Sequence, residues 1–248
     1  MAILHLEVLL LFIIILVVVA FIYASVGHGG ASGYLALMAL FSFPVLAMKP
    51  TALTLNIFVS GIAFWFFKKN TYFRLRLFFP FAITSIPAAF LGGYFSVNAN
   101  LYKQILGVFL IIAILRILNV FGSASKKTIP VNMTIALVIG GIIGLLSGMI
   151  GIGGGIILSP IIIMFYWGTV KEAAAVSALF IFVNSMAGII GFLLNGGSIP
   201  NDVLYFIPAV MLGGALGGLY GSQKFSLKTL TYLLAIVLLL ATFKLFLI

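Results

Sequence analysis

Gly27-His28-Gly29-Gly30 interrupts one long apolar stretch of this chain. Gly151-Ile152-Gly153-Gly154-Gly155 interrupts another, 124 positions further along a sequence of 248 residues. The same offset superposes Ile57-Phe58-Val59 on Ile181-Phe182-Val183. At an offset of 125, Leu91-Gly92-Gly93 falls on Leu216-Gly217-Gly218, and Lys103 on Lys228. The matches are sparse but collinear, as an ancient duplication leaves them. Two equivalent halves with glycine breaks in matching hydrophobic segments are the pattern of a secondary transporter.

Composition narrows the class. The chain is 64% hydrophobic and 6% charged, with a mean hydropathy of +1.37, whereas soluble domains carry roughly 25% charged residues. Nearly the whole length lies in runs able to cross a bilayer, so the lipid bilayer is its first partner. The formal charge of +10 comes from basic residues scattered at segment ends, which argues against nucleic acid and for topology-setting charge. Zero cysteines exclude disulfides and thiolate metal sites. His5 and His28, with Glu7, Glu172 and Asp202, are too few for a convergent ligand set, so no metal or cofactor is expected. The start, Met1 to Glu7, lacks a basic region, and the apolar run after it is expected to be an uncleaved first membrane segment.

Ten apolar segments can be marked. The first half holds Val8–Val26, Ala31–Phe43, Thr51–Phe67, Leu77–Phe95 and Leu101–Val120. The second holds Met133–Ile150, Ile156–Trp167, Glu172–Leu194, Val203–Tyr220 and Leu227–Leu247. The second segment of each half has about a dozen residues, nearer 18 Å of helix than the roughly 30 Å of a bilayer core. Each is therefore either one arm of a re-entrant hairpin or a short crossing helix. Lys68, Lys69, Arg74 and Arg76 make the clearest basic loop and should be cytoplasmic. Lys126 and Lys127 in the linker follow it, as do Lys224 and Lys228, whereas the Asn195–Asp202 loop has no basic residue and should lie outside. Only Lys49 and Lys103 run against the trend. This charge pattern requires halves of opposite orientation. The expected fold is an all-α polytopic membrane protein of two inverted repeats, with about eight full crossings plus short broken or re-entrant helices. Residues 1–121 form the first repeat, 122–130 a cytoplasmic linker and 131–248 the second repeat.

The breaks are the first candidates for function. Glycine costs about 1 kcal/mol in a helix interior, and unpaired backbone in lipid costs several more. A break leaves the following helix with free N–H groups and a positive dipole end. Gly29, Gly30, Ala31 and Ser32 on one side, and Gly153, Gly154 and Gly155 on the other, would form a backbone-built anion site at the midplane. Tight turning and close helix packing are the plainer alternative for these glycines, and packing is expected of Gly92-Gly93, Gly140-Gly141 and Gly213-Gly214. His28 has no counterpart, since Ile152 takes its place. It is open to three roles: donor to an anion, carrier of a coupling proton, or partner of a carbonyl freed at the turn. Asn56, Ser60 and Asn184 in the third segments, and Ser159 beside Pro160, are the remaining site candidates, with interhelical packing as their alternative. Thr169-Val-Lys-Glu172 reads as a capping box. No carboxylate sits well inside a segment, so the buried acid of many proton-coupled carriers is missing.

Gly30-Ala31-Ser32-Gly33 also resembles the Gly-x-Ser-Gly of rhomboid intramembrane proteases. A serine nucleophile needs a base within reach, and no histidine follows position 28. A non-enzyme is expected. A broader resemblance covers the whole chain. The stretch from Gly27 to Leu40 resembles the first block of the TauE/SafE sulfite exporter family. Ser147 to Pro160, followed by Lys171 to Ser185, is similar to that family's second-half block. The resemblance implies a bacterial inner-membrane protein, commonly drawn with about eight crossings, that moves small sulfur-containing anions such as sulfite or organosulfonates. Export is the expected direction. Uptake coupled to a proton or sodium is the alternative.

Overall fold

The computed structural model describes residues 6–95, 98–117 and 128–223, together with 239, 242 and 243. The described residues are helical, in the order α1 (Leu6–Ser25), α2 (Ala31–Leu40), α3 (Val45–Lys69), α4 (Leu75–Tyr94), α5 (Ala99–Ile117), α6 (Met133–Ile150), α7 (Gly155–Met164), α8 (Val170–Leu194) and α9 (Val203–Ser222). His5, Lys126, Lys127, Lys224, Lys228 and nearly all of the tenth expected segment lie outside the described residues. Six helices, α1, α3, α4, α6, α8 and α9, are long and apolar enough to cross a membrane. Their outward faces carry side chains such as Ile14, Phe79, Ile142 and Leu212, each more than half exposed. Such a surface would aggregate in water and suits lipid. The protein is a multi-pass membrane protein.

The short elements come out as expected, and shorter. α2 and α7 have 10 residues each, about 15 Å of helix at 1.5 Å per residue. α2 is buried from Ala31 to Ala39. The expected third segment begins at Thr51, but α3 starts six residues earlier, at Val45, and runs through Lys49 and Pro50. Proline is tolerated there because it sits in the second turn and forfeits a single backbone bond, the one to the carbonyl of Leu46.

Glycine packs the long helices together. Gly140, Gly144 and Gly148 of α6 press on the carbonyls of Phe81, Ser85 and Ala89 of α4. Gly213, Gly217 and Gly221 of α9 press in the same way on Val17, Phe21 and Ser25 of α1. A β-carbon at any of these six would collide with a carbonyl oxygen, so only glycine lets the backbones approach this closely. The contacts recur along the chain. Gly92 meets the Leu145 carbonyl and Gly93 meets Gly188, while Gly217 meets the Phe21 carbonyl and Gly218 meets Ala63. Each second pair stands 124 or 125 positions from the first. α3 packs on α8 at the centre, with α4 against α8 and α9 against α3 flanking it.

The capping box forms at the start of α8. The Thr169 N–H donates to Glu172 Oε2 at 2.8 Å, and the Glu172 N–H to Thr169 Oγ1 at 3.4 Å. Arg74 adds an ion pair to Glu172 Oε1 at 2.5 Å, tying the basic loop before α4 to that cap. Its guanidinium side chain is half exposed, so the pair is worth at most about 1 kcal/mol.

Candidate functional site

Both breaks are built by left-handed glycines, and at matching places. Gly27 and Gly30 have φ of 77° and 98°; Gly151 and Gly154 have 93° and 80°. α1 closes with paired bonds, the Gly27 N–H to Ala24 O at 3.0 Å and the His28 N–H to Tyr23 O at 2.9 Å, the Schellman pattern. α6 closes with one, the Gly151 N–H to Ser147 O at 2.8 Å. α2 and α7 then begin at Gly30 and Gly154, neither of which caps its helix with a side chain. Their first N–H groups are left for another partner. The irregular backbone of both breaks is buried in protein, as a membrane interior demands.

The two breaks meet. A β-carbon on Gly29 would strike Asn56 Oδ1 and lie 2.9 Å from Ile181 Cγ2; one on Gly153 would lie 2.8 Å from that same Ile181 atom and 2.8 Å from Asn56 Nδ2. Asn56 Nδ2 donates to Ile152 O at 3.2 Å and to Ser185 Oγ at 3.4 Å. His28 Nε2 stands 3.1 Å from Gly155 O and 3.0 Å from Ser159 Oγ. A carbonyl only accepts, so Nε2 carries the hydrogen. Ser159 Oγ continues to Ser177 Oγ at 2.8 Å. His28, Gly29, Asn56, Gly153, Gly155 and Ser159 thus share one buried centre.

Other candidates turn elsewhere. Ser60 Oγ donates to the Asn56 carbonyl of its own helix at 2.5 Å, and Asn184 Nδ2 to the Phe180 carbonyl at 2.9 Å. At the 124-residue offset Ser60 falls on Asn184, and each bonds the carbonyl one turn back in its own helix. Ser32 Oγ pairs with Tyr23 Oη at 2.6 Å. A phenol is no general base at neutral pH, and the His28 Nε2 hydrogen is directed at Gly155 and Ser159, so the geometry does not assemble a serine nucleophile.

Two hydroxyls that sequence reasoning did not single out stand beside the helix starts. Tyr34 Oη and Ser147 Oγ are buried, at 0% and 1% residue exposure, and neither has a hydrogen-bond partner. A β-carbon on Gly30 would lie 2.5 Å from Tyr34 Oη, and one on Gly154 would lie 2.5 Å from Ser147 Oγ. Each uncapped helix start therefore has an idle hydroxyl at its first glycine. An orphaned buried hydroxyl costs about 1–3 kcal/mol, a standing cost that a bound acceptor would relieve. The only sequence signal was position: Ser147 opens the second-half block, and Tyr34 lies one turn after Gly30.

The family model for the sulfite exporter TauE/SafE matches residues 11–245. The chain belongs to the TauE/SafE family. Named relatives agree that members are membrane transporters. A probable membrane transporter protein of Sinorhizobium fredii is 39% identical over 235 residues, covering 92% of this chain and 94% of its own. One from Bacillus subtilis is 27% identical over 180 residues, 64% of this chain and 66% of its own. One from Methanocaldococcus jannaschii is 30% identical over 169 residues, 63% and 62%. No solved structure matches the chain significantly. This TauE/SafE protein is accordingly a membrane transporter, and its two breaks share a buried polar centre, as a broken helix in lipid demands of its partners.

Proposed function

We propose that this TauE/SafE protein exports a small sulfur-containing anion, sulfite or an organosulfonate, held between the starts of α2 and α7. The observation that carries the reading is the pair of idle hydroxyls, Tyr34 Oη and Ser147 Oγ, at two uncapped helix starts. Helix-start N–H groups, positive dipole ends and unpaired hydroxyls able to donate together suit an oxyanion. The family's name, sulfite exporter, supports the substrate class. The two repeats, 1–121 and 131–248 around the 122–130 linker, would face opposite ways and deliver both helix starts to one midplane site. An anion leaving a cell that is negative inside gains about 2.3 kcal/mol per charge per 100 mV, so outward movement needs no coupled proton.

The test uses the unusual energetics of an orphaned hydroxyl. Tyr34→Phe and Ser147→Ala each remove a group that nothing in the protein satisfies, so the ligand-free melting temperature should hold or rise. The stabilisation produced by sulfite or sulfoacetate should shrink, with affinity falling about tenfold for each lost bond. In proteoliposomes, wild-type efflux should accelerate when a potassium gradient with valinomycin makes the exit side positive. Unchanged anion affinity in both variants, or flux that ignores voltage and needs a proton or sodium gradient, would refute the reading.

A further inference from the structure

A cavity of about 330 Å³ opens beside the second break, lined by Leu46, Lys49, Phe95, Tyr102, Met149 and Ser198 among others. That volume lies at the lower end of small-molecule sites, about 300–1,000 Å³. Lys49 is the unusual member. It lies in a membrane-crossing helix, and its residue exposure is 8%. A charged lysine at such depth is costly and faces the protein interior or a water-filled space. Its Nζ donates to three carbonyls at the end of α4: Gly93 at 2.8 Å, Gly92 at 3.3 Å and Phe95 at 3.5 Å. The Phe192 ring lies 5.4 Å away. None of these partners carries a formal negative charge, and none of the chain's three carboxylates lines the cavity. The ammonium thus keeps a net positive charge at the wall of a cavity able to hold a small solute.

The cavity also borders the central site. Met149 lines it, and Tyr102 Oη donates across to Ile150 O at 3.0 Å. One residue further, a β-carbon on Gly151 would lie 3.1 Å from Lys49 O and 3.5 Å from Lys49 Cγ. The last turn of α6 is therefore a shared wall. Lys49 stands on one side, and Ser147 with the start of α7 stands on the other.

We infer that this cavity is a second anion site, a vestibule on the route to the central site, with Lys49 as its charged anchor. The inference rests on the transport reading above. Its ligand is the transported oxyanion itself, which on its way out leaves the central site past Gly151 and is held at the Lys49 ammonium, a cation that no carboxylate neutralises. The mouth belongs to the face that carries Asn195 to Ser198.

Sulfite flux in proteoliposomes tests the inference. Lys49→Met should raise the half-saturating sulfite concentration about tenfold, the scale of one partly screened charge–charge attraction, and leave the maximum rate nearly unchanged. Lys49→Arg should restore it. A lysine that merely caps α4 would give the opposite split, a lower melting temperature and maximum rate with half-saturation unchanged, and that outcome overturns the vestibule. A second variant avoids dependence on Lys49 folding. The chain has no cysteine, so Ser198→Cys can be modified alone. With sulfoacetate as substrate, since sulfite would cleave the mixed disulfide, a cationic methanethiosulfonate should lower half-saturation and an anionic one of similar size should raise it. Equal effects of both reagents would mean simple obstruction and would also overturn the inference. A wild type that carries neither sulfite nor sulfoacetate removes the transport reading as well; a wild type that carries them, with indifferent variants, removes only the vestibule.

Discussion

In the first break His28 reaches across to Gly155 O and Ser159 Oγ, whereas the matching residue of the second break, Ile152, contributes only its carbonyl, which accepts from Asn56. The helices behind them differ in the same sense: at the offset that pairs His28 with Ile152, Asn56 of α3 falls on Phe180 of α8. The side-chain nitrogen donors both come from the first half. Their carbonyl and hydroxyl partners, Ile152 O, Gly155 O, Ser159 and Ser185, all come from the second. The idle hydroxyls are unequal too, since Tyr34 follows its helix start and Ser147 precedes its own. The backbone geometry, two left-handed glycines and an uncapped helix, is what the breaks share. A matched pair of helix starts needs only the backbone, so side chains at matching positions are released to bond across the centre in one direction.

The largest expected effect breaks that backbone likeness. A β-carbon on Gly27 would drive into the Ala174 backbone, with the Ala174 carbonyl carbon at 2.7 Å, and backbone cannot swing aside. At the matching Gly151 the nearest atom, Lys49 O, is 3.1 Å away. Gly27→Ala should abolish folded protein and flux. Gly151→Ala should cost about 1–2 kcal/mol for its left-handed backbone and keep measurable transport. Comparing detergent-solubilised yield, melting temperature and flux decides it; equal outcomes would mean that the two breaks are equally packed.

A smaller effect follows from making the side chains alike. His28→Ile copies the second break and strips Gly155 O and Ser159 Oγ of their donor, which should cost about 1–3 kcal/mol. Ile152→Val, the control at the matching place, should cost no more than about 1.5 kcal/mol. Thermal melts in detergent separate them, and a His28→Ile protein as stable as wild type would show that the histidine bonds carry no weight in the ligand-free state.

The mildest intervention leaves activity intact and asks how the halves are oriented. Lys69 ends α3, Gln223 follows α9 and Gly197 follows α8. Single cysteines at these exposed or half-exposed sites should label from the cytoplasm at 69 and 223 and from outside at 197. Labelling of 197 and 223 from one side would end the inverted reading and leave the shared break geometry without its explanation.

The helices, the breaks and the Thr169–Glu172 cap were all readable from the chain because each depends on residues within a turn or two of one another. The duplicated glycines even marked where the centre would lie. The start of α3 lies six residues before the expected Thr51, because the helix runs on through Lys49 and Pro50, which the surrounding packing buries. What the chain alone determined was which backbone groups would be freed, since a glycine break frees them whatever lies opposite. Which atoms answer them was decided by the tertiary structure. Asn56 meets a carbonyl 96 positions away and His28 meets partners 127 and 131 away. Tyr34 and Ser147 are left without partners by the packing around them, and Lys49 becomes a cavity's cation because the end of α4 stops beside it. Charge and hydrogen-bonding capacity belong to the residue, but burial and partnership belong to the neighbours that folding supplies.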